Sequence, residues 1–225
     1  MNSKIFEILS AVPYLESLSP KIAETIANEA QQLIVVPKQI VFLEGDSSDA
    51  LYFVESGGLK AIKTSPSGRE QILHFIDAGE PFNEMNALAG IANSVTVIAL
   101  EQSVLWKIKR ETILKIIDTN PEIAKYIIQH LAKRFHSLLT TVEDLSLRSI
   151  EARLARYLLS ESEEAYIERP TWATQSELAS RLGTVPDVLH RALKTLSKEN
   201  LIHVERRKIT ILNRERLQER SERDK

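Results

Sequence analysis

Residues 174–191 read TQSELASRLGTVPDVLHR, and their punctuation is that of two short helices joined by a tight turn. Thr174 or Ser176 is placed to cap the first helix, which carries Leu178, Ala179 and Leu182 on one face. Gly183 closes it, because glycine enters a left-handed cap without strain. Thr184 is then expected to cap a second helix, with Pro186 in its first turn, where a missing N–H costs nothing. Leu189, Leu193 and Leu196 keep an apolar face at i, i+4, i+7. Asp187, His190, Arg191 and Lys194 face the other way. A plain helical hairpin shares the apolar spacing, but a polar, partly basic second helix suits a DNA major groove.

Working outward, Asn200 is a C-cap candidate, and LIHVERRKITILN reads as two strands around a turn at residues 205–207. That turn carries Arg206, Arg207 and Lys208 toward phosphates, making the motif a winged helix-turn-helix, with Thr174, Gln175 and Ser176 at the start of its first helix. The tail from Arg214 to Lys225 mixes both signs and reads as solvated helix or disorder. Upstream, Ile150, Leu154, Tyr157 and Leu158 mark a helix capped by Ser146 or Ser149. SESEEAYIERPTW is a polar connection with room for one short strand.

Asn120–Pro121 ends a helix that begins at Arg110 and holds Ile113, Leu114, Ile116 and Ile117. From Pro121 to about Leu145 no breaker occurs. Ala124, Ile128, Leu131, Phe135, Leu138, Val142 and Leu145 recur at steps of 4 and 3, a seam of period 3.5 that calls for a partner helix. A homodimer is expected through these residues, with a hinge at Asp144–Leu145–Ser146. Before Arg110 the texture is different. Runs such as QIVFLE, ALYFVE, GLKAIKT, EQILHFI and SVLWKIK are short and β-branched or aromatic, and turn signals separate them, Ser65–Pro66–Ser67–Gly68 among them. That pattern predicts a small sandwich or barrel. Residues 20–34 are expected to form an amphipathic helix, and Ile5, Phe6 and Leu9 a shorter one ended by Pro13.

The chain has 225 residues and a formal net charge of -2, unevenly spread: residues 1–147 carry -5 and residues 148–225 carry +3. The basic excess lies on the half with the helix-turn-helix. No cysteine is present, which excludes disulfides, thiolate zinc and cysteine-ligated iron–sulfur clusters. No apolar run is long enough to span a membrane and the first residues lack a signal-peptide core, so a cytoplasmic protein is expected. There is no phosphate-binding glycine loop, no metal-ligand spacing and no nucleophile elbow; no catalytic residue and no metal is assigned.

Gly45, Gly57, Gly68 and Gly79 stand in EGDSSDALYFVESG, SPSGREQIL and DAGEPFNE; the heptad helix and TQSELASRLG…LHRALKTLSKENLI follow in order. Over nearly the whole chain this resembles the cyclic-AMP receptor protein/fumarate-nitrate regulator (CRP/FNR) family of transcription regulators. The resemblance implies an α+β chain: an N-terminal double-stranded β-helix (jelly-roll, cyclic-nucleotide-binding-like) over residues 1–120, a dimerisation helix over 121–146, and a winged helix-turn-helix over 147–225. It places an effector pocket at Phe82, Asn83, Glu84, Met85, Asn93 and Ser94, with Leu138 and Leu139 contributed by the long helix.

The cyclic-nucleotide branch of that family has Gly before the Glu, Arg for the cyclic phosphate and a hydroxyl pair for adenine. Here these positions hold Asn83, Asn93 and Leu138–Leu139, which argues against cyclic AMP because a phosphodiester needs a fixed cationic donor. The look is nearest to regulators of the dissimilatory-nitrate-respiration type, which sense nitric oxide through haem; His74, His130 and His136 are the imidazoles available. The cofactor stays open between haem, another small molecule and none, and a binding module without DNA output is the other class to weigh. In the recognition helix the family's Glu–x–x–Ser/Gly–Arg becomes Asp187–Val188–Leu189–His190–Arg191. The resemblance implies a homodimer reading a palindrome of TTGA-like half-sites about 34 Å apart, with RNA polymerase as a further partner.

Overall fold

The computed structural model describes residues 24, 26, 28–162, 166–168, 174–205 and 208–222. The expected helix around Ile5–Pro13 and the turn residues Arg206 and Arg207 lie outside these residues. The chain forms two compact units, one from residues 1–63 and 73–135, the other from 64–72 and 136–225.

The first unit is built on two four-stranded sheets. One has the order β1 (Gln31–Val35), β8 (Ser103–Lys109), β3 (Ala50–Ser56), β6 (Pro81–Phe82). The other runs β2 (Ile40–Phe42), β7 (Thr96–Ala99), β4 (Leu59–Thr64), β5 (Glu70–Ile76). The alternation of each strand decides what it touches. Tyr52, Val54 and Leu105 join Phe42, Leu59, Ile76, Phe82 and Val97 in one core. On the opposite side of β3 and β8, Leu51, Phe53, Trp106 and Ile108 meet Ile113, Ile116, Ile123 and Ile127 from helices. Register pairs Phe53 with Trp106 and Leu51 with Ile108, so the largest side chains stack cross-strand. This is the small sandwich that the turn signals predicted, in the jelly-roll form that the family resemblance implied. The helix expected over 20–34 ends earlier, because Gln31–Val35 pairs antiparallel with β8 instead, where backbone groups and Val35 are satisfied together.

The turn glycines Gly45, Gly57, Gly68 and Gly79 all have positive φ, and Gly68 donates to the Ser65 carbonyl at 2.8 Å in the expected hairpin turn. Gly57 is the most constrained. Its φ is +89°, and a Cβ there would lie 2.7 Å from the Gln102 carbonyl oxygen.

Helix α1 (Glu84–Ala89) follows β6, and α2 (Arg110–Thr119) leads by way of Asn120 into α3 (Pro121–Leu147), 27 residues long. The hinge expected at residues 144–146 is still helix. The break comes at Arg148, after which Ser149 caps α4 (Ile150–Glu161) by accepting from the Ala152 N–H at 3.2 Å. Arg148 is held at that break by Glu143 (2.8 Å), Asp144 (3.0 Å) and the Ser221 carbonyl (2.7 Å). Three acceptors around one guanidinium give the corner its fixed geometry.

The second unit carries a core of Leu154, Ala155 and Leu158 from α4, Leu178, Ala179 and Leu182, Leu189, Ala192, Leu193 and Leu196, and Ile202, Ile209, Ile211 and Leu217. Its three-stranded sheet has the order β10 (Ile202–Val204), β11 (Lys208–Ile211), β9 (Tyr166–Glu168). Helix α5 spans Gln175–Arg181, α6 Pro186–Lys198 and α7 Arg214–Ser221. Of the tail, residues 214–221 are therefore helix, anchored by Leu217. Among the described residues no helix is long and apolar enough to cross a membrane.

Gly57→Ala is expected to destabilise the protein by about 2–3 kcal/mol, since an L-residue is forced into strained backbone against a carbonyl. Thermal unfolding should register this as a fall of roughly 5–10 °C.

Candidate nucleic-acid interface and effector site

The helix-turn-helix is assembled by local hydrogen bonds. Of the two capping candidates for α5, Thr174 is the one used: its hydroxyl accepts from the Glu177 N–H at 3.2 Å. Gly183 closes the helix at φ +65°, and the Thr184 N–H reaches back to the Ala179 carbonyl at 2.9 Å. A Cβ on Gly183 would also crowd the side chains of Leu145 and Arg153. Arg153 donates through Nη1 to the Leu182 carbonyl, next to that turn, and its burial lowers its pKa from the ordinary value. Thr184 does not cap α6. The N-cap is Val185, with no side-chain bond, because Pro186 takes the first helical position and shifts the start by one residue.

With Leu189, Ala192, Leu193 and Leu196 in the core, Pro186, Asp187, His190, Arg191 and Lys194 all stand exposed on one side of α6. Thr174, Gln175 and Ser176 are exposed at the start of α5. This is the face the sequence predicted. Lys208 differs. It is not in the turn but opens β11, and its Nζ lies 3.9 Å from the centre of the Tyr166 ring, a cation–π contact made possible because β9 pairs beside it. Tyr166 carried no signal for this in the sequence, since β9 is three residues long.

The long helix α3 has two apolar stripes. Ile123 and Ile127 are buried in the first unit, with Leu131 packed beside them. Ile128, Phe135 and Val142 are 66%, 62% and 61% exposed, and Leu138 and Leu139 are exposed with them. Ala124, Leu131 and Leu145 are half-buried. Ile128, Phe135, Leu138 and Val142 of the period-3.5 seam thus form an uncovered stripe, while its other three residues are half-buried. The stripe of Ile123 and Ile127 was missed in the sequence because the seam was traced one residue away.

The effector residues are drawn together around β6 and α1, with exceptions. Asn83 stands where the resembling family has glycine, and the reason is conformational: its φ is +68°, a left-handed geometry that asparagine tolerates. Its amide donates to Ser48 Oγ (2.9 Å) and the Ala50 carbonyl (3.1 Å), and its Oδ1 accepts from Asn86 Nδ2 (2.9 Å). Ser94 in turn donates to Asn86 Oδ1 at 2.7 Å. Phe82 lies in the interior of the first unit's sheets. It is buried in the core, stacked on Tyr52 at 5.0 Å, and burial together with Asp49 pushes the Tyr52 phenol up to about 12. Met85 is exposed.

Glu84 is the centre of this site. Its side chain is 3% exposed, with Arg134 Nη1 3.1 Å from Oε2 and His130 Nε2 2.9 Å from Oε1. Arg134 was not singled out in the sequence, although 123, 127, 130 and 134 share one helical face. A buried carboxylate needs such partners, since the desolvation cost of a lone charge is several kcal/mol. Asn93 is 4% exposed, and its Oδ1 has no hydrogen-bond partner among the described residues.

The cation that would face a phosphate is absent at Asn93, and the carboxylate that would meet a ribose is already taken by Arg134 and His130. Nε2 of His74 lies 3.3 Å from Glu80, and Nε2 of His130 lies 2.9 Å from Glu84. His136 is exposed on α3. Among the described residues no cluster of His, Asp and Glu is arranged to hold a metal ion.

Arg134→Met is expected to leave Glu84 buried beside His130 alone. The cost should be about 2 kcal/mol, below the 3–5 kcal/mol of a fully buried pair because Arg134 is one-third exposed. Chemical denaturation of the variant measures it, and Glu84→Gln in the same background should recover part of the loss.

The chain matches the Cyclic nucleotide-binding domain over residues 33–120 and the Crp-like helix-turn-helix domain over residues 152–220. It is 26% identical over 221 residues to a CRP-like cAMP-activated global transcriptional regulator of Mycobacterium tuberculosis, covering 96% of this chain and 99% of that one. To the Cyclic AMP receptor protein of Thermus thermophilus it is 27% identical over 193 residues, covering 85% and 88% of the two chains. The solved structure of a CooA mutant from Carboxydothermus hydrogenoformans has the same fold, with a TM-score of 0.76 at 18% identity over 98% of this chain and 97% of that one. The two matched domains, in family order and together covering more than half of the chain, make it a member of the CRP/FNR family of DNA-binding transcription regulators.

Proposed function

We propose that this protein works as a homodimer that reads palindromic DNA with TTGA-like half-sites, through an effector state that does not involve a cyclic nucleotide. The observation that carries the dimer is the exposed stripe Ile128, Phe135, Leu138 and Val142 on a 27-residue helix. Aliphatic and aromatic groups at heptad spacing in water are costly alone and match their own copy across a two-fold axis. Two recognition helices then come to lie about one DNA turn, roughly 34 Å, apart. Arg191 is the guanine reader: its planar fork matches O6 and N7, worth about 1–3 kcal/mol of discrimination. Asp187 stands where the family has a Glu that accepts from cytosine, with one methylene less of reach. The domain boundaries that go with this reading are residues 1–120 for the sensor, 121–146 for the dimer helix and 147–225 for the DNA-binding domain, and RNA polymerase is the downstream partner.

The relatives named as cAMP-activated make cyclic AMP the ligand to test against. Asn93 in place of a cation and the engagement of Glu84 by Arg134 support another effector. A second reading, binding without any effector, is favoured by the closed chain Asn83–Asn86–Ser94, whose side chains satisfy one another. Haem-dependent sensing of nitric oxide is the weaker alternative, since neither His74 nor His130 turns its Nε2 away from a carboxylate.

The test is fluorescence anisotropy of nucleotide-free, haem-free protein on a duplex with TTGA and TCAA half-sites, against a scrambled duplex over a salt series. Palindrome-dependent binding unchanged by cyclic AMP is the expected result; binding that appears only with cyclic AMP overturns the effector reading. Arg191→Ala should lose about 10- to 100-fold of the preference for the palindrome while sedimenting as a dimer. Phe135→Glu should sediment as a monomer; a monomeric wild type sinks the dimer reading.

A further inference from the structure

The recognition helix begins on an apolar tip. Val185 is the N-cap of α6, with φ −112° and ψ 156°, and no side chain caps the helix there. It is 45% exposed, and Pro186 beside it is exposed as well. Both features run against helix chemistry. An N-cap favours Ser, Thr, Asp or Asn, whose oxygen satisfies an orphan N–H. An exposed aliphatic group adds nothing to the core formed by Leu189, Ala192, Leu193 and Leu196. The extended backbone required before proline suits any β-branched residue, so threonine would satisfy that demand and cap the helix too.

The tip is continuous with the exposed row Asp187, His190, Arg191 and Lys194 on the DNA-binding motif. N-terminal residues of a recognition helix are the ones that meet base edges. In the major groove the apolar feature among the base edges is the C5 methyl of thymine. We propose that Val185, backed by Pro186, packs on a thymine methyl and so selects a T·A pair at one position of each half-site. The contact rests on the reading of α6 as the recognition helix.

The experiment starts from duplexes that full-length protein selects from a random pool. Each thymine of the selected palindrome is replaced in turn by deoxyuridine, which removes the methyl and nothing else, and affinity is read by anisotropy at fixed salt. For wild type, one thymine per half-site should show a loss of about fourfold for each methyl removed, the worth of one buried methyl group. Val185→Ser should bind the thymine and deoxyuridine duplexes equally, while melting no lower than wild type because it gains a cap. A flat deoxyuridine scan in wild type, or a methyl penalty that Val185→Ser leaves unchanged, overturns the contact. If selection enriches no palindrome, the reading of α6 itself fails, and the contact with it.

Discussion

A carboxylate removed from water has to find cations, and Glu84 finds them on α3. Arg134 and His130 reach it from the helical face that Ile123 and Ile127 bury against the sheet of β3 and β8. One rotational setting of α3 satisfies the charge and the apolar core together. A helix turned away from that setting would strand Glu84 and expose isoleucine, so the setting is held by two independent penalties. Its consequence is that Ile128 and Phe135 face outward. The apolar stripe read here as a dimer seam is therefore the remainder of the same geometric solution.

The same ion pair bears on ligand chemistry. The family's nucleotide-binding branch uses a carboxylate and an arginine to hold sugar and phosphate. In this chain the carboxylate is spent on the helix, and the phosphate position is a neutral, buried asparagine. Asn83 keeps the backbone that glycine has elsewhere, through a left-handed φ and four side-chain bonds in its neighbourhood. The loop geometry of the family is thus retained while its charge arrangement is altered.

In the second unit the logic is simpler. A small leucine-rich core holds α5 and α6, Thr174 and Gly183 define the ends of α5, and Arg148 pins the corner at which α3 gives way to α4. They leave one side of α6 free of packing duties, and the polar row and its apolar tip occupy that side.

Much of this was legible in the chain itself. Turn glycines, strand alternation and the step pattern of the leucines are local signals, and local backbone chemistry fixes their outcome: the strand-rich first half, the long helix, the helix-turn-helix and its exposed row stand where the sequence placed them. Tertiary structure decided what depends on distant partners. Gln31–Val35 is strand because β8 lies beside it, Lys208 leaves the wing turn because Tyr166 is brought next to it, and Phe82 joins the core because Tyr52 and Phe42 surround it. Arg134 acquires its role only when folding sets it 3.1 Å from a carboxylate fifty residues earlier. Period and capping are written along the chain, whereas the partner of a buried charge is a property of packing.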